Sequence, residues 1–171
     1  QNNIPYILVI KKKLNYIGMG RGIKMKIYHA TIEDLEGVSK LFNLYRMFYQ
    51  QPSDLEGAKT YIKKRLESRD SVRLVVKDKQ GYVGFTQLYP TFSSISMKRV
   101  WILNDLYVDA EARNQGVGEM LIDKAKEFAG ETGAKSISLS TAPDNYSAQR
   151  LYERNGYVRD SHFYQYELGL S

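Results

Sequence analysis

The sequence predicts an α+β domain (α/β in the three-layer sense) in which helices flank one sheet, and three observations carry that prediction. The elements run strand, two helices, three strands, helix, strand, helix and one or two closing strands, a mixed order that builds one sheet with helices packed on it. Its 171 residues suffice for a single domain with its own core. Hydrophobic residues at 43% and charged residues at 26% match an ordinary globular protein, and no internal repeat interrupts the pattern.

Lys24 to Ala30 alternates as a short strand. Thr31 precedes Ile32, Glu33 and Asp34 as a helix start with acids in the first turn, and Leu35, Val38, Leu41, Phe42, Tyr45 and Phe48 follow at helical spacing. Ser53-Asp54-Leu55-Glu56 reads as a capping box, with Ser53 as the cap. The helix it opens runs to Ser68, with Leu55, Ala58, Tyr61, Ile62 and Leu66 on its apolar face. Val72 to Lys77 and Tyr82 to Tyr89 form a hairpin around the turn Asp78-Lys79-Gln80-Gly81. Pro90 to Met97 reads as a serine-rich loop and Arg99 to Asp109 as a longer strand. A helix over Gly116 to Thr132 buries Val117, Met120, Leu121, Ala125, Phe128 and Ala129, and Gly133 closes it. Ser136 to Ser140 is a strand, Asp144 or Asn145 starts a helix ending at Asn155-Gly156, and Tyr157 to Leu168 holds the closing strands.

Composition removes several chemistries. Without cysteine there is no disulfide framework, thiolate metal site or cysteine nucleophile. Two histidines, His29 and His162, read as strand-end or surface residues, and no metal is expected. The net charge of +6 is concentrated in residues 1–24, where Lys11, Lys12, Lys13, Arg21 and Lys24 stand without an acid, so residues 25–171 carry only +1. The case for nucleic acid therefore rests on that tail alone, and no nucleic-acid partner is expected. The apolar run Ile4 to Ile10 is too short to span a membrane, and its lysines follow it, whereas a secretory signal places them before it. Residues 1–24 are read as an N-terminal extension, non-native or disordered, ahead of a start at Met25; an extra strand or a dimer arm is the alternative. A cytoplasmic location is expected.

The densest signal is Leu103-Asn104-Asp105-Leu106-Tyr107-Val108-Asp109-Ala110-Glu111-Ala112-Arg113-Asn114-Gln115-Gly116-Val117-Gly118. A strand runs into a short loop, and glycines open a helix, so successive backbone N–H groups and the helix dipole converge on one spot. Glycine lets the backbone approach a phosphate without a Cβ in the way, and Arg113 adds a fixed charge. No Gly-Lys-Ser/Thr follows, which excludes a triphosphate P-loop, and Leu121 stands where a dinucleotide fingerprint requires its third glycine.

Arg113-x-x-Gly116-x-Gly118 resembles the coenzyme A pyrophosphate loop of the GNAT superfamily of N-acetyltransferases, Gln/Arg-x-x-Gly-x-Gly/Ala. The family often has glycine directly after the arginine; Asn114 stands there in this chain, and asparagine tolerates left-handed backbone. In the same order, Asn145 to Tyr157 resembles the family's Asn-x-x-Ala-x-x-Leu-Tyr-x-x-x-Gly-Phe/Tyr segment. The resemblance covers 25–171 as the acetyltransferase domain and implies a central mixed, mostly antiparallel sheet flanked by about four helices. It implies acetyl-CoA as co-substrate, held by Leu106, Tyr107, Val108, Arg113, Asn114, Gln115, Gly116, Val117, Gly118, Asn145 and Ala148. Read without the family, Asn145 is a helix cap and Tyr152 a core residue.

The chemistry so implied is attack of an amine on a thioester. A free primary amine has a pKa of about 10.4, so a proton must be removed, directly or through water. By the resemblance Tyr152 lies near the coenzyme sulfur as general acid. Proton donation from an ordinary tyrosine to a thiolate is uphill by about 1.5 units, roughly 2 kcal/mol, so a hydrogen bond to sulfur is the alternative to full transfer. Asp105 is the candidate that faces the acceptor amine, as base, as orienter of water or as a partner for its charge; a solvated strand-end acid is the plain reading. Where spermidine/spermine acetyltransferases read Glu-Asp this chain reads Asn104-Asp105, and the histone/polyamine acetyltransferase-like branch is the expected one. Tyr45, Tyr49, Glu56, Tyr89 and Asn104 are candidate acceptor contacts by position. The acceptor is expected to be a polyamine, a lysine-like amine or a small amino compound. A homodimer is expected from family behaviour and from the edge of a β-rich C-terminus. A catalytically silent acyl-CoA-binding regulatory domain is the alternative.

Overall fold

Among the described residues six strands form one sheet in sequence order: β1 (Asn15–Met19), β2 (Ile23–His29), β3 (Val72–Lys77), β4 (Tyr82–Ser93), β5 (Lys98–Val108) and β6 (Ser136–Ser138). The computed structural model describes residues 15–19 and 23–170. Neighbours from β1 to β5 are antiparallel, and β6 lies parallel to β5, so the sheet is mixed and mostly antiparallel as expected. The chain divides into one compact unit ending at Ser140 and another starting at Thr141. The first holds the sheet with helices α1 (Leu35–Phe48), α2 (Leu55–Ser68) and α3 (Val117–Glu131); the second holds α4 (Tyr146–Arg154).

Alternation decides which side chains meet which helix. Tyr28, Val75, Phe85 and Tyr107 are register partners across β2 to β5 and pack with Val38, Leu41, Phe42, Ala58 and Ile62 of α1 and α2. The opposite face receives α3, whose six predicted apolar residues are all buried. Here β4 presents Gly84, where an added Cβ would lie 2.8 Å from Val117 Cγ1, so α3 begins in direct contact with the sheet backbone. His29 ends β2 with its ring edge-on to Phe128 of α3 at 5.2 Å.

Thr31 caps a 3-10 turn over Ile32–Asp34 that leads into α1. Asp34 becomes the electrostatic pin of this corner: its carboxylate accepts from the Thr31 amide and from the hydroxyls of Tyr28 and Tyr82. Burial alone would raise its pKa, but these donors hold it below the ordinary carboxylate value.

Several sequence expectations need correction. The cap of α2 is Asp54, which accepts from the Gly57 amide; Ser53 instead receives Asn43 Nδ2. Phe48, Leu55 and Tyr61, placed on apolar faces, are 51%, 40% and 41% exposed. Pro90 does not end its strand: β4 continues to Ser93. The ladder of β3 stops at Val72↔Leu88, so beyond Leu88 only β5 lies beside β4, and the missing N–H of Pro90 faces no second strand. No strand forms over 157–170. The Asp160 carboxylate accepts from the amides of His162 and Phe163, a local turn that diverts the run from a ladder.

Residues Asn15–Met19, within the stretch set apart as an extension, pair with β2 from Asn15↔Ile27 to Met19↔Ile23. Lys11, Lys12, Lys13 and Arg21 lie outside the described residues. Among the described residues no helix is long and apolar enough to cross a membrane.

Candidate active site

The site starts from an irregularity in β5. Gln87 pairs with Asp105, but Leu88 pairs with Leu103, leaving Asn104 as an extra residue opposite the junction. In a straight strand Leu103 and Asp105 would share a face. The bulge separates them: Leu103 turns to the α3 side, and Asp105 turns to the α1–α2 side beside Gln87 and, one strand further, Arg73. Asp105 is 5% exposed. It takes hydrogen bonds from Asn104 Nδ2 at 3.1 Å and from Tyr45. Burial is the largest influence and raises its pKa above the ordinary carboxylate value, against those hydrogen bonds and the charge of Arg73.

Asp105, Tyr45 and Asn104, named from sequence, are thus brought together. Tyr45 stacks on Phe42 and meets Phe85 and the half-exposed Tyr49 edge-on. The Tyr89 hydroxyl bonds to Gln87 Nε2 and to the Tyr61 hydroxyl. Burial raises the Tyr89 pKa, and the bond to Tyr61 adds to it. Glu56 is exposed in the first turn of α2 with its charge near Lys59.

Arg73, Gln87 and Tyr61 were not singled out as site residues. An arginine amid the valines and leucine of Val72–Lys77 was the visible signal for the first. The bulge also left a trace: apolar residues at Trp101 and Leu103 resume at Leu106 and Val108, a one-residue slip in the alternation.

Pairing with β6 ends at Ile102↔Ser138. From Leu103 to Val108, therefore, β5 has β4 on one side and no described strand on the other, which leaves backbone groups near Leu106, Tyr107 and Val108 outside a ladder. The strand then enters the loop. Asp109 caps a 3-10 turn over Ala110–Ala112, and Arg113 follows in extended conformation with its Nε on the Val108 carbonyl at 3.2 Å. Asn114 adopts φ 59° and Gly116 φ 81°, both left-handed, a backbone that glycine takes freely and asparagine tolerates. Gln115 Nε2 closes the loop on the Glu111 carbonyl at 2.8 Å. Gly116 caps α3, whose first helical bond joins the Met120 amide to the Gly116 carbonyl, so Val117 and Gly118 lie before any intrahelical acceptor.

These features fit a coenzyme pyrophosphate: the amino end of a 15-residue helix, two left-handed residues ahead of it, and an exposed arginine.

In the second unit, Asn145 caps α4 by accepting from the Ala148 amide at 3.2 Å. Tyr152 is 9% exposed and packs against the Tyr157 ring at 5.8 Å. Gly156 takes φ 84° at the end of α4.

The family model for the acetyltransferase (GNAT) family matches residues 38–157. The chain is 49% identical over 146 residues to the uncharacterized N-acetyltransferase YhfO of Bacillus subtilis, covering 85% of this chain and 98% of that protein. It is 28% identical to a probable acetyltransferase of Haemophilus influenzae, covering 86% and 99%. A crystal structure of a probable acetyltransferase superposes with TM-score 0.80 at 44% identity, covering 85% of this chain and 97% of that one. A family match over most of the chain, joined to near-complete coverage of a close relative, means that this chain belongs to the GNAT family of acetyltransferases.

Proposed function

We propose that this acetyltransferase moves the acetyl group of acetyl-CoA to a primary amine by direct attack, with Asp105 serving the amine and Tyr152 serving the departing sulfur. The observation that carries the reading is Asp105, a buried carboxyl turned by a bulge into a cluster of hydroxyls. Acetyl-CoA supplies an activated acyl group; this chain holds and aligns it. Arg113, Asn114, Gln115, Gly116, Val117 and Gly118 hold the pyrophosphate. Asn145 and Ala148 line the coenzyme's arm, and Leu106, Tyr107 and Val108 offer backbone N–H groups to the acetyl oxygen as negative charge develops on it. Asp105 receives the ammonium and takes its proton, directly or through one water, and Tyr45, Tyr49, Tyr89 and Asn104 shape the acceptor's surroundings, with Glu56 at the rim. Tyr152 donates a hydrogen bond or its proton to the leaving thiolate.

The acceptor class spans polyamines, lysine-like amines and small amino compounds, the range of the histone/polyamine acetyltransferase-like branch. We further propose a homodimer, because Val158, Phe163, Tyr164, Tyr166, Leu168 and Leu170 are each more than 80% exposed in the chain after α4. Sedimentation showing only monomer at high concentration removes that part.

Following thiol release from acetyl-CoA with polyamines, lysine peptides, amino acids and aminoglycosides tests transfer. Tyr152→Phe and Asp105→Asn are expected to bind acetyl-CoA with unchanged affinity in calorimetry and to lose about 10²–10⁴ in turnover. Full turnover by Tyr152→Phe on every good acceptor overturns the general-acid role. Binding of acetyl-CoA with no thiol release on any amine tested favours a silent acyl-CoA-binding domain.

A further inference from the structure

Arg73, Gln87 and Asp105 lie abreast on three adjacent strands, as successive register partners on the face toward α1 and α2. They are 2%, 0% and 5% exposed. Buried polar groups in folded proteins nearly always have partners. Here two nitrogens of the Arg73 guanidinium, Nε and Nη1, find none, and neither does Gln87 Oε1. The third, Arg73 Nη2, donates to Ser71 Oγ at 3.1 Å, and Ser71 leans on Asp70, which pairs with Arg65. That chain accounts for why an arginine is tolerated inside the sheet, but it uses one of the three nitrogens. Burial lowers the Arg73 pKa to about 10, which leaves it charged at neutral pH.

The row therefore offers unused donors on a cation at one end, an unused acceptor in the middle and a carboxyl at the other. It reaches the surface through hydroxyls: Gln87 bonds Tyr89, Tyr89 bonds Tyr61, and Tyr61 is 41% exposed on α2. Both hydroxyls lie near enough to Arg73 to feel its charge. Strands two places apart are separated by about 10 Å, and the Arg73 charge reaches far enough to act on the Asp105 carboxyl.

We infer that the acceptor is an amino-carboxylate, an amino acid or a compound with an amino-acid head, whose carboxylate is taken by Arg73 when Tyr61 swings aside while its amine lies between Gln87 Oε1 and Asp105. The inference rests on the proposed transfer to an amine and narrows the acceptor. A polyamine has no group for Arg73, and its second cation meets the guanidinium's charge. An amino acid satisfies all three buried groups at once, and arginine is well suited to bind a carboxylate through charge-assisted hydrogen bonds.

The test compares amino acids of both hands, each beside its C-terminal amide and its decarboxylated amine, by thiol release. The α-amine of an amide is intrinsically the less basic and more often neutral, so a preference for the free acid runs against plain amine reactivity. The expected kcat/KM for the free acid is about tenfold or more above its partners, the difference lying in KM, as one charge-assisted bond supplies. Arg73→Met is expected to bring the ratio close to one, and Arg73→Lys to keep part of it. Equal or better use of the amide or amine by the wild type overturns the inference, as does an Arg73→Met variant that loses all three substrates alike. Should Arg73→Met fail to fold, the wild-type ratio and Arg73→Lys still decide. Calorimetry of the same compounds on the complex with CoA separates the two claims. Binding of the free acid without thiol release sinks the transfer reading and keeps this one; thiol release without a carboxylate preference does the reverse; absence of both overturns this one.

Discussion

Substituting Gly84 tests how the sheet holds the proposed coenzyme loop. A Cβ at this position would stand 2.8 Å from Val117 Cγ1, 3.1 Å from the Tyr107 carbonyl oxygen and 3.4 Å from Leu121 Cδ1. Carbon atoms settle at about 3.5–4.0 Å, so in Gly84→Ala the valine must retreat by about 1 Å. It cannot do so by rotating, because a β-branched side chain in a helix has one strongly preferred rotamer and Val117 is 1% exposed. The first turn of α3 moves instead, carrying the amides of Gly116, Val117 and Gly118. Overpacking of this kind costs about 1–3 kcal/mol, and each kcal/mol lowers Tm by roughly 2–4 °C at this chain length, so Gly84→Ala is expected to melt about 2–12 °C lower. A displacement near 1 Å at a hydrogen-bonded anion is expected to weaken CoA binding by about tenfold. Thermal melting and calorimetry read the two effects. Val117→Ala removes the obstructing methyls at about 0.8 kcal/mol for each buried carbon, and in the double variant the two costs should fall short of their sum by 0.5 kcal/mol or more, about the limit of additivity. Strict additivity, or a Gly84→Ala protein with wild-type Tm and CoA affinity, refutes the proposed contact between sheet and loop.

Two further expectations concern pH. The folded pKa of Asp34 is depressed, so its contribution to stability is complete above the unfolded carboxylate value of about 3.9 and is lost as pH falls through the folded value. Asp34→Asn, which sets an amide among three donors, should cost about 1–3 kcal/mol in urea unfolding at pH 7, and the gap to wild type should narrow below pH 4; a gap that does not vary with pH rejects the role. His29 is held neutral chiefly by burial and secondarily by Lys124, and its pKa falls to about 4. The unfolded chain then binds the extra proton first, so stability is lost as pH drops from about 6.5 toward 4. His29→Phe, which keeps an aromatic ring on Phe128, should flatten the urea midpoint over that window, and an unchanged slope counts against it.

What the sequence showed plainly was whatever depended on local pattern. The limits of β3 and most of the apolar face of α3 were read from period alone, because a strand of valines and a helix with a broad apolar stripe leave few alternatives; Ile122, also buried, was missed. Asn114 was readable as a left-handed position because few side chains tolerate it. The errors arose where a non-local partner, or its absence, decided the outcome. Pro90 looks like a terminator until β3 is known to end at Val72, opposite Leu88, and Tyr157–Leu168 looks like strand until Asp160 is seen to draw two amides into a turn.

The acceptor side of the site was legible only in part, and the reason is geometric. Asp105 was found because it precedes the coenzyme loop, but its face depends on Asn104. Had β5 run straight, Leu103 and Asp105 would point the same way, and either a leucine would enter the polar row or a carboxyl would press against α3. The slip in alternation between Leu103 and Leu106 records that choice. Nothing local records that Arg73 and Gln87 stand beside Asp105, because register partners lie on different strands and only the ladder joins them. A lone arginine in a buried strand reads as an anomaly of composition; placed in register with an acid and an amide it supports the proposed zwitterion's complement. The proposed acceptor specificity is therefore written in pairing across the sheet, and the proposed coenzyme loop in consecutive residues, which is why the second was readable from the chain and the first was not.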